Sequence, residues 1–364
     1  IADFDSSGIC FNSPDGATKI FNNTSAPKNG MSWEWNMGDN GSGSYINNTN
    51  SNSVEPVYTY ADTGTFNVTL ILIGPNCNDT ITKKVKVWDN PKITTTNYTD
   101  IFCFGDSTGV ININTFDGTP PYTYNWTSTN NFSSINEDID SLSAGTYSVI
   151  VTDSNGCTVY DTIVLTEPTE IILSSTNTNI LCHGDSTGSI DLLVNGGVSP
   201  YTYQWSNGET TQDINNLTEG IYTVIVTDSN LCIDSLVINI TQPDSIILSY
   251  VNANILCHGD STGSIDLSVT GGVSPYTYQW SNGETTQDIN NLTEGTYTVI
   301  VTDSNGCTIY DTIVLTEPQF PLSVSIVNDT ICSGDSNGII DLTVNGGVSP
   351  YTYQWSNGET TQDI

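Results

Sequence analysis

The chain has 364 residues, 36% of them hydrophobic, and carries 6 Lys+Arg against 40 Asp+Glu for a formal net charge of −34. Such a surface repels nucleic acid and anionic membrane, which argues against both as partners. The apolar residues recur at short intervals among Thr, Asn, Ser and Gly, which is β-sheet composition with turn punctuation rather than disorder.

No apolar run is long enough to cross a bilayer, so membrane insertion is not expected. No leader pattern opens the sequence, which places the mature start upstream or implies that a leader was already removed. The basic residues are all lysines (Lys19, Lys28, Lys83, Lys84, Lys86 and Lys92), and none follows position 92.

Residues 1–90 form a first unit. It contains Phe21-Asn22-Asn23-Thr24-Ser25, Trp33-Glu34-Trp35-Asn36-Met37-Gly38-Asp39, Pro56-Val57-Tyr58-Thr59-Tyr60 and Gly64-Thr65-Phe66-Asn67-Val68. These segments resemble a PKD domain, which implies an Ig-like β-sandwich. Met37 stands where that family usually has an aromatic residue, and Asn40 where it usually has glycine.

From residue 91 the chain repeats itself. GGVSPYTYQWSNGETTQDINNLTEG occurs at 196–220, recurs unchanged at 271–295, and starts again at 346, a period of 75 residues. A looser copy carries PPYTYNW at 120–126 and AGTYSVIVTDSNGC at 144–157. The expected units are 91–168, 169–243 and 244–318, with a truncated unit at 319–364. Pro168, Pro243 and Pro318 close the full repeats, stop strand pairing and stiffen each junction.

Within 244–318, Ile265, Leu267 and Val269 alternate with polar neighbours, as do Tyr276, Tyr278 and Trp280, and then Tyr297, Val299 and Val301. Each run predicts a half-buried strand. Further strands fit 246–251 and 308–315. Pro275, Gly283, Gly295 and Asn305-Gly306 supply turns. Leu231 replaces the glycine of that last pair in the second repeat, so a type I′ turn is not expected at Asn230-Leu231. About six or seven short strands per unit predict a small Ig-like sandwich with Trp280 in its core and a tyrosine corner at Leu292-x-x-Gly295-x-Tyr297. The same-side alternation of Tyr276, Tyr278 and Trp280 favours core packing over a sugar platform.

Nine cysteines stand at 10, 77, 103, 157, 182, 232, 257, 307 and 332. Their positions predict one bridge per unit: Cys10–Cys77, Cys103–Cys157, Cys182–Cys232 and Cys257–Cys307. Cys332 is then left over, its partner expected near position 382. Such bridges imply an oxidising compartment. Zinc is disfavoured, since no two cysteines are two to four residues apart.

Residues 91–364 resemble the SprB-type repeat of cell-surface adhesins of gliding Bacteroidota. The pattern is Cys257-x-Gly259, Gly263, Gly271-Gly272, Pro275-Tyr276, Trp280, Leu292, Gly295-x-Tyr297, Asp303, Gly306-Cys307 and Pro318. The resemblance implies type IX secretion, display on the outer-membrane cell surface, anchoring machinery there as a partner, and a role in gliding or attachment. The expected architecture is all-β: a PKD-like unit followed by tandem Ig-like sandwiches forming an elongated rod.

His183 and His258 share a slot with Phe104 and Ser333, which argues against a catalytic or ligand role, and no nucleophile–base set, phosphate loop or paired-carboxylate cleft appears. No enzyme activity and no cofactor is expected. Asp-Ser-Thr-Gly at 106–109, 185–188 and 260–263 reads as an Asp-capped turn. Calcium is the alternative ligand, with the junctions and Asp39 as the places to look, although no D-x-D-x-D-G loop is present. The Asp-(Ser/Thr)-aliphatic pattern, which looks like the O-glycan acceptor of these bacteria, marks Thr80, Ser141, Thr162, Ser235, Ser245, Thr312 and Thr330.

The expected function is a structural stalk segment of a secreted surface adhesin. The alternatives are multivalent modules binding extracellular polysaccharide, or an accessory region of a secreted polysaccharide hydrolase.

Overall fold

A computed structural model describes residues 2–11, 16–25, 30–46 and 52–364. The fold is all-β, a tandem series of Ig-like sandwiches. The chain divides into two compact units. One comprises Ile1–Ile172, Asn195–Tyr201 and Thr227–Ile233; the other comprises Leu173–Val194, Thr202–Val226 and Asp234–Ile364.

In the first unit, strands Ile9–Cys10, Asn78–Trp88, Gly64–Ile73 and Ser32–Asn36 form one sheet in that order, and Ala17–Ile20, Val57–Tyr60 and Ser44–Tyr45 form another. Between them lie Phe4, Phe21, Trp35, Tyr60, Leu70 and Val85, all buried. Phe4 meets Trp35 edge-on at 5.1 Å between ring centres. Asn40 takes φ 55°, the left-handed conformation that asparagine tolerates better than most residues.

Residues 91–168 pair Ile139–Leu142, Gly109–Asp117 and Pro91–Thr99 in one sheet. Ser133–Ser134, Thr123–Ser128, Gly145–Thr152 and Thr158–Leu165 form the other. In the second unit, residues 244–318 repeat the plan: Ile247–Ala253, Gly263–Thr270 and Ile289–Leu292 oppose Thr277–Trp280, Gly295–Thr302 and Thr308–Leu315. Sheets of the same order recur over residues 172–240, and Ser323–Asn328 pairs with Ile340–Asn345.

The alternation read from the sequence is the alternation of burial. Ile265 and Leu267 from one sheet meet Trp280, Tyr297, Val299 and Val301 from the other in a single core. Tyr276 and Tyr278 pack half-buried against it, so this run is core rather than platform. Trp280 Nε1 donates to the Thr286 carbonyl (2.9 Å), which satisfies the one polar group its burial removes from water. The tyrosine corner forms as expected. Tyr297 Oη donates to Thr293 O at 3.0 Å, Tyr222 to Thr218 O at 3.0 Å and Tyr147 to Ser143 O at 2.8 Å.

The Gly-Gly pair is a steric requirement. Gly271 has φ 72°, and a Cβ there would sit 1.9 Å from the Ser245 carbonyl oxygen. No larger residue fits without moving the backbone.

As expected, Asn230-Leu231 is not a type I′ turn, since Leu231 but not Asn230 has a positive φ, yet the loop keeps the backbone of its sibling repeats. Leu231 adopts φ 69°, close to Gly156 (85°) and Gly306 (87°), and its N–H donates to Asp228 O at 3.1 Å as Gly306 does to Asp303 O. The turn is kept because its neighbours dictate it, and the side chain tolerates the strain by pointing outward, 80% exposed. Leu231→Gly should therefore stabilise its module by about 1 kcal/mol, since little packing is lost and the left-handed strain is removed. A thermal melt checks this; an unchanged or lower midpoint would contradict it.

The junctions between modules as the candidate functional site

Two loops in each repeat carry the cysteines, and they lie at opposite ends of the sandwich. In 244–318 the turn Asp303–Cys307 sits beside the start of the module: Ser304 N–H donates to Val273 O (2.9 Å) and Gly272 N–H to Asp244 O (2.8 Å). From there Thr308–Leu315 runs eight residues to the far end, a distance of about 26 Å. At that far end Ile255 N–H donates to Thr316 O (3.0 Å), and Gly259 N–H to Glu317 Oε2 (2.7 Å). Cys257 stands in this second loop. Residues 91–168 show the same layout, with Gly105 N–H on Glu167 Oε2 at 2.7 Å beside Cys103.

This geometry overturns the expected pairing. Cysteines whose Cα atoms are more than about 7 Å apart cannot be bridged, and an eight-residue strand separates the two cysteines of one module. The bridges instead run Cys10–Cys157, Cys103–Cys232 and Cys182–Cys307, with Cα separations of 5.4, 5.5 and 5.5 Å. Each joins the trailing-end cysteine of one module to the leading-end cysteine of the next. None of Cys10–Cys77, Cys103–Cys157, Cys182–Cys232 or Cys257–Cys307 forms. Cys10 pairs in register with Trp88, at the far end of the strand that Cys77 precedes. Cys332 is free as expected, but so are Cys77 and Cys257, and all three are exposed.

The leading-end loop is organised by a buried aspartate. Asp303 Oδ1 accepts N–H bonds from Asn305 and Cys307 (both 2.9 Å), and Oδ2 accepts one from Val273 (3.0 Å). Asp228 does the same with Asn230, Cys232 and Val198, all at 2.9 Å. Asp153 holds Asn155, Cys157 and Thr119 at 2.8–2.9 Å. A carboxylate that accepts three backbone donors holds the cysteine's backbone by bonds that do not depend on the bridge. The asparagine of the same loop then reaches the neighbouring module. Asn305 Nδ2 donates to Leu181 O and Asn230 Nδ2 to Phe102 O, each at 2.9 Å. Asn155 Nδ2, at the same position of the first repeat, is buried without a partner among the described residues.

The trailing-end loop is a tight turn in which Asp260 N–H donates to Cys257 O at 3.1 Å. The side chain that closes it is Thr262, whose Oγ1 accepts the Leu256 N–H at 3.1 Å, rather than the aspartate expected to cap it. Both histidines lie in this turn as exposed loop residues. His183 Nδ1 donates to Pro243 O (3.2 Å) and His258 Nδ1 to Pro318 O (3.0 Å), with Glu317 Oε1 2.8 Å away. They tie the cysteine turn to the proline that closes the repeat. A groove of about 440 Å³ lies over the Cys182–Cys307 bridge, lined among others by His183, Asp185, Asp244, Ser245 and Asp303.

Among the described residues, no group of three or more His, Cys, Asp or Glu is placed to hold a metal. The Asp39 carboxylate is occupied by its own loop. It accepts from Gly41 N (3.1 Å), Gly43 N (2.7 Å) and Tyr58 Oη (2.7 Å). Burial pushes its pKa up, but the Tyr58 hydroxyl and the two N–H groups outweigh that and hold it below the usual carboxylate range. Asp5 is drawn down to about 2 by the Ser7 N–H and hydroxyl and by Lys19.

Depressed carboxylates stabilise the fold above their unfolded pKa of about 3.9 and lose that contribution as pH falls through the folded value. The first module should therefore melt at a constant temperature from neutrality to about pH 4.5 and lose stability between about pH 4 and pH 2. Calorimetry across that range checks the sign; a midpoint flat down to pH 2 would contradict it.

Of the serines and threonines in glycan-acceptor-like contexts, Thr80, Ser141, Thr162, Ser235, Thr312 and Thr330 are exposed. Ser245 is half-buried in the junction groove.

Strand order, shared core and bridge placement define a class: tandem Ig-like sandwiches covalently coupled from one module to the next. The family model of the SprB repeat matches residues 95–131, 174–210, 249–285 and 324–360, so the chain carries four SprB repeats. No curated protein matches the chain. Among solved structures it is similar to an E-to-A variant of titin domains I67–I69, with 12% identity, 66% of this chain and 98% of that one covered, and a TM-score of 0.34. It is also similar to Sidekick-1 immunoglobulin domains 1–5, with 12% identity, 95% and 85% covered, and a TM-score of 0.26. The N-terminal four Ig domains of Dscam1 isoform 6.44 align at 11% identity over 87% and 98%, with a TM-score of 0.22.

Proposed function

We propose that this chain is a stalk segment of a secreted bacterial surface adhesin: a PKD-type module followed by SprB repeats, exported by type IX secretion and displayed on the outer membrane for gliding or attachment. The observation that carries the reading is the bridge from each module to the next. A protein whose task is to transmit tension gains from joints that cannot part, whereas an enzyme or a single-site receptor has no need of three of them. The SprB repeats and the dependence on an oxidising compartment agree with it. The charge of −34 keeps neighbouring copies apart.

Antibodies raised against residues 91–318 test the reading directly. They should label intact, unpermeabilised cells, and in-frame deletion of those residues should reduce spreading or attachment. Labelling only after lysis would overturn it.

A second reading has one observation in its favour. Tyr160 and Tyr310 stand 81% and 76% exposed on the outer sheet face, paired with Ile150 and Ile300. Exposed aromatic rings of this kind stack on pyranose faces, and many weak copies would add through avidity. The chain should then bind a neutral polysaccharide on a glycan array and lose that binding with Tyr160→Ala and Tyr310→Ala.

A further inference from the structure

The three bridges overlap along the chain. Cys10–Cys157 has not closed when Cys103–Cys232 opens, and that one has not closed when Cys182–Cys307 opens. We propose that this overlap makes the stretch from Cys10 to Cys307 a doubly connected cable: no single break in its backbone severs it, and tension across it bypasses most of the folded chain.

The first half of the proposal follows from connectivity. A cut anywhere from residue 10 to residue 307 falls inside at least one bridged interval, so a covalent route always remains around it. Bridges confined to single modules would leave every linker unprotected. A cut at Pro168-Thr169 or Pro243-Asp244 would then separate the chain.

The second half follows from path length. Tension entering at Cys10 crosses to Cys157, follows 25 residues to Cys182 and crosses to Cys307. Fully extended, those residues span about 90 Å. Without the bridges the same two points are 297 residues apart, which extends to about 1,000 Å. A module whose core gives way under load therefore releases little length, and it stays beside the segments it must refold with. The cable property rests on the bridges alone; its use to resist pulling rests on the stalk reading.

Two measurements test the proposal on the full chain. A protease site inserted between Pro168 and Thr169 should, after cleavage, leave one covalent species on a non-reducing gel and two fragments once dithiothreitol is added. Separation without reductant would overturn the proposal. If the insertion disturbs folding, pulling the unmodified chain by its ends supplies the second arm. Reduction should add about 950 Å of contour length. Unfolding steps of equal length with and without reductant would overturn the proposal. A chain that passes both tests but is absent from the cell surface would sink the stalk reading and leave the cable intact.

Discussion

Replacing Cys182 and Cys307 together by serine should lower the melting temperature of the two modules they join by about 10–20 °C. The bridge closes a loop 125 residues long. In the chain-entropy model this contributes about 5 kcal/mol. At roughly 2–4 °C per kcal/mol for two modules melting together, the shift reaches that range. Secondary structure should survive, because each module keeps its own core around Trp205 or Trp280, both buried. The comparison that gives the experiment its force is Cys182→Ser with Cys232→Ser. In this structure the two residues belong to different bridges, so that pair breaks two and should destabilise more than the first. Were they partners, the second pair would break one bridge and be the milder change.

Asp303→Ala should cost about 3–5 kcal/mol, although it removes one small polar side chain. Its carboxylate is the partner of three N–H groups, on Val273, Asn305 and Cys307. Alanine leaves these donors without a partner in a site that excludes most water. Stranding a buried donor costs about 1–3 kcal/mol, and part of the loss is recovered where water can enter. Bridging should suffer as well, because the Cys307 N–H is one of the three. The variant should show a higher fraction of reactive Cys182 thiol after oxidative refolding. Asp303→Asn keeps one acceptor and should fall between. A variant as stable and as fully bridged as the parent would show that the aspartate merely accompanies the turn.

Much of this architecture was legible in the residues. Period-2 alternation in Ile265–Val269 and Tyr297–Val301 specifies half-buried strands because the side-chain direction in a strand has the same period. The tyrosine corner was legible because its chemistry is local: a hydroxyl reaching back four residues. Leu231 was not, since the conformation there is set by Asp228 and the flanking strands rather than by the residue in the turn.

The cysteines failed for a different reason. With a 75-residue period, separations of 50 and 125 are equally repetitive, so spacing cannot tell a bridge within a module from one to the next. The deciding fact is which end of the sandwich each loop occupies, and that depends on strand order. A usable signal was nevertheless present. The first cysteine lies one strand after the Pro that ends the preceding repeat, with Ile247–Ala253 between Pro243 and Cys257, and the second lies one strand before the next Pro, with Thr308–Leu315 between Cys307 and Pro318. One full strand therefore stands between the second cysteine and the trailing end.

Disulfide mapping of the non-reduced, thiol-blocked protein tests the central claim most directly. Thr178 against Ala253 distinguishes the peptide of Cys182 from that of Cys257, Val159 against Ile309 distinguishes that of Cys157 from that of Cys307, and Leu231 marks that of Cys232. The structure predicts linked peptides for Cys10 with Cys157, Cys103 with Cys232 and Cys182 with Cys307, and blocked thiols at Cys77, Cys257 and Cys332. Peptides joining Cys182 to Cys232, or Cys257 to Cys307, would contradict it.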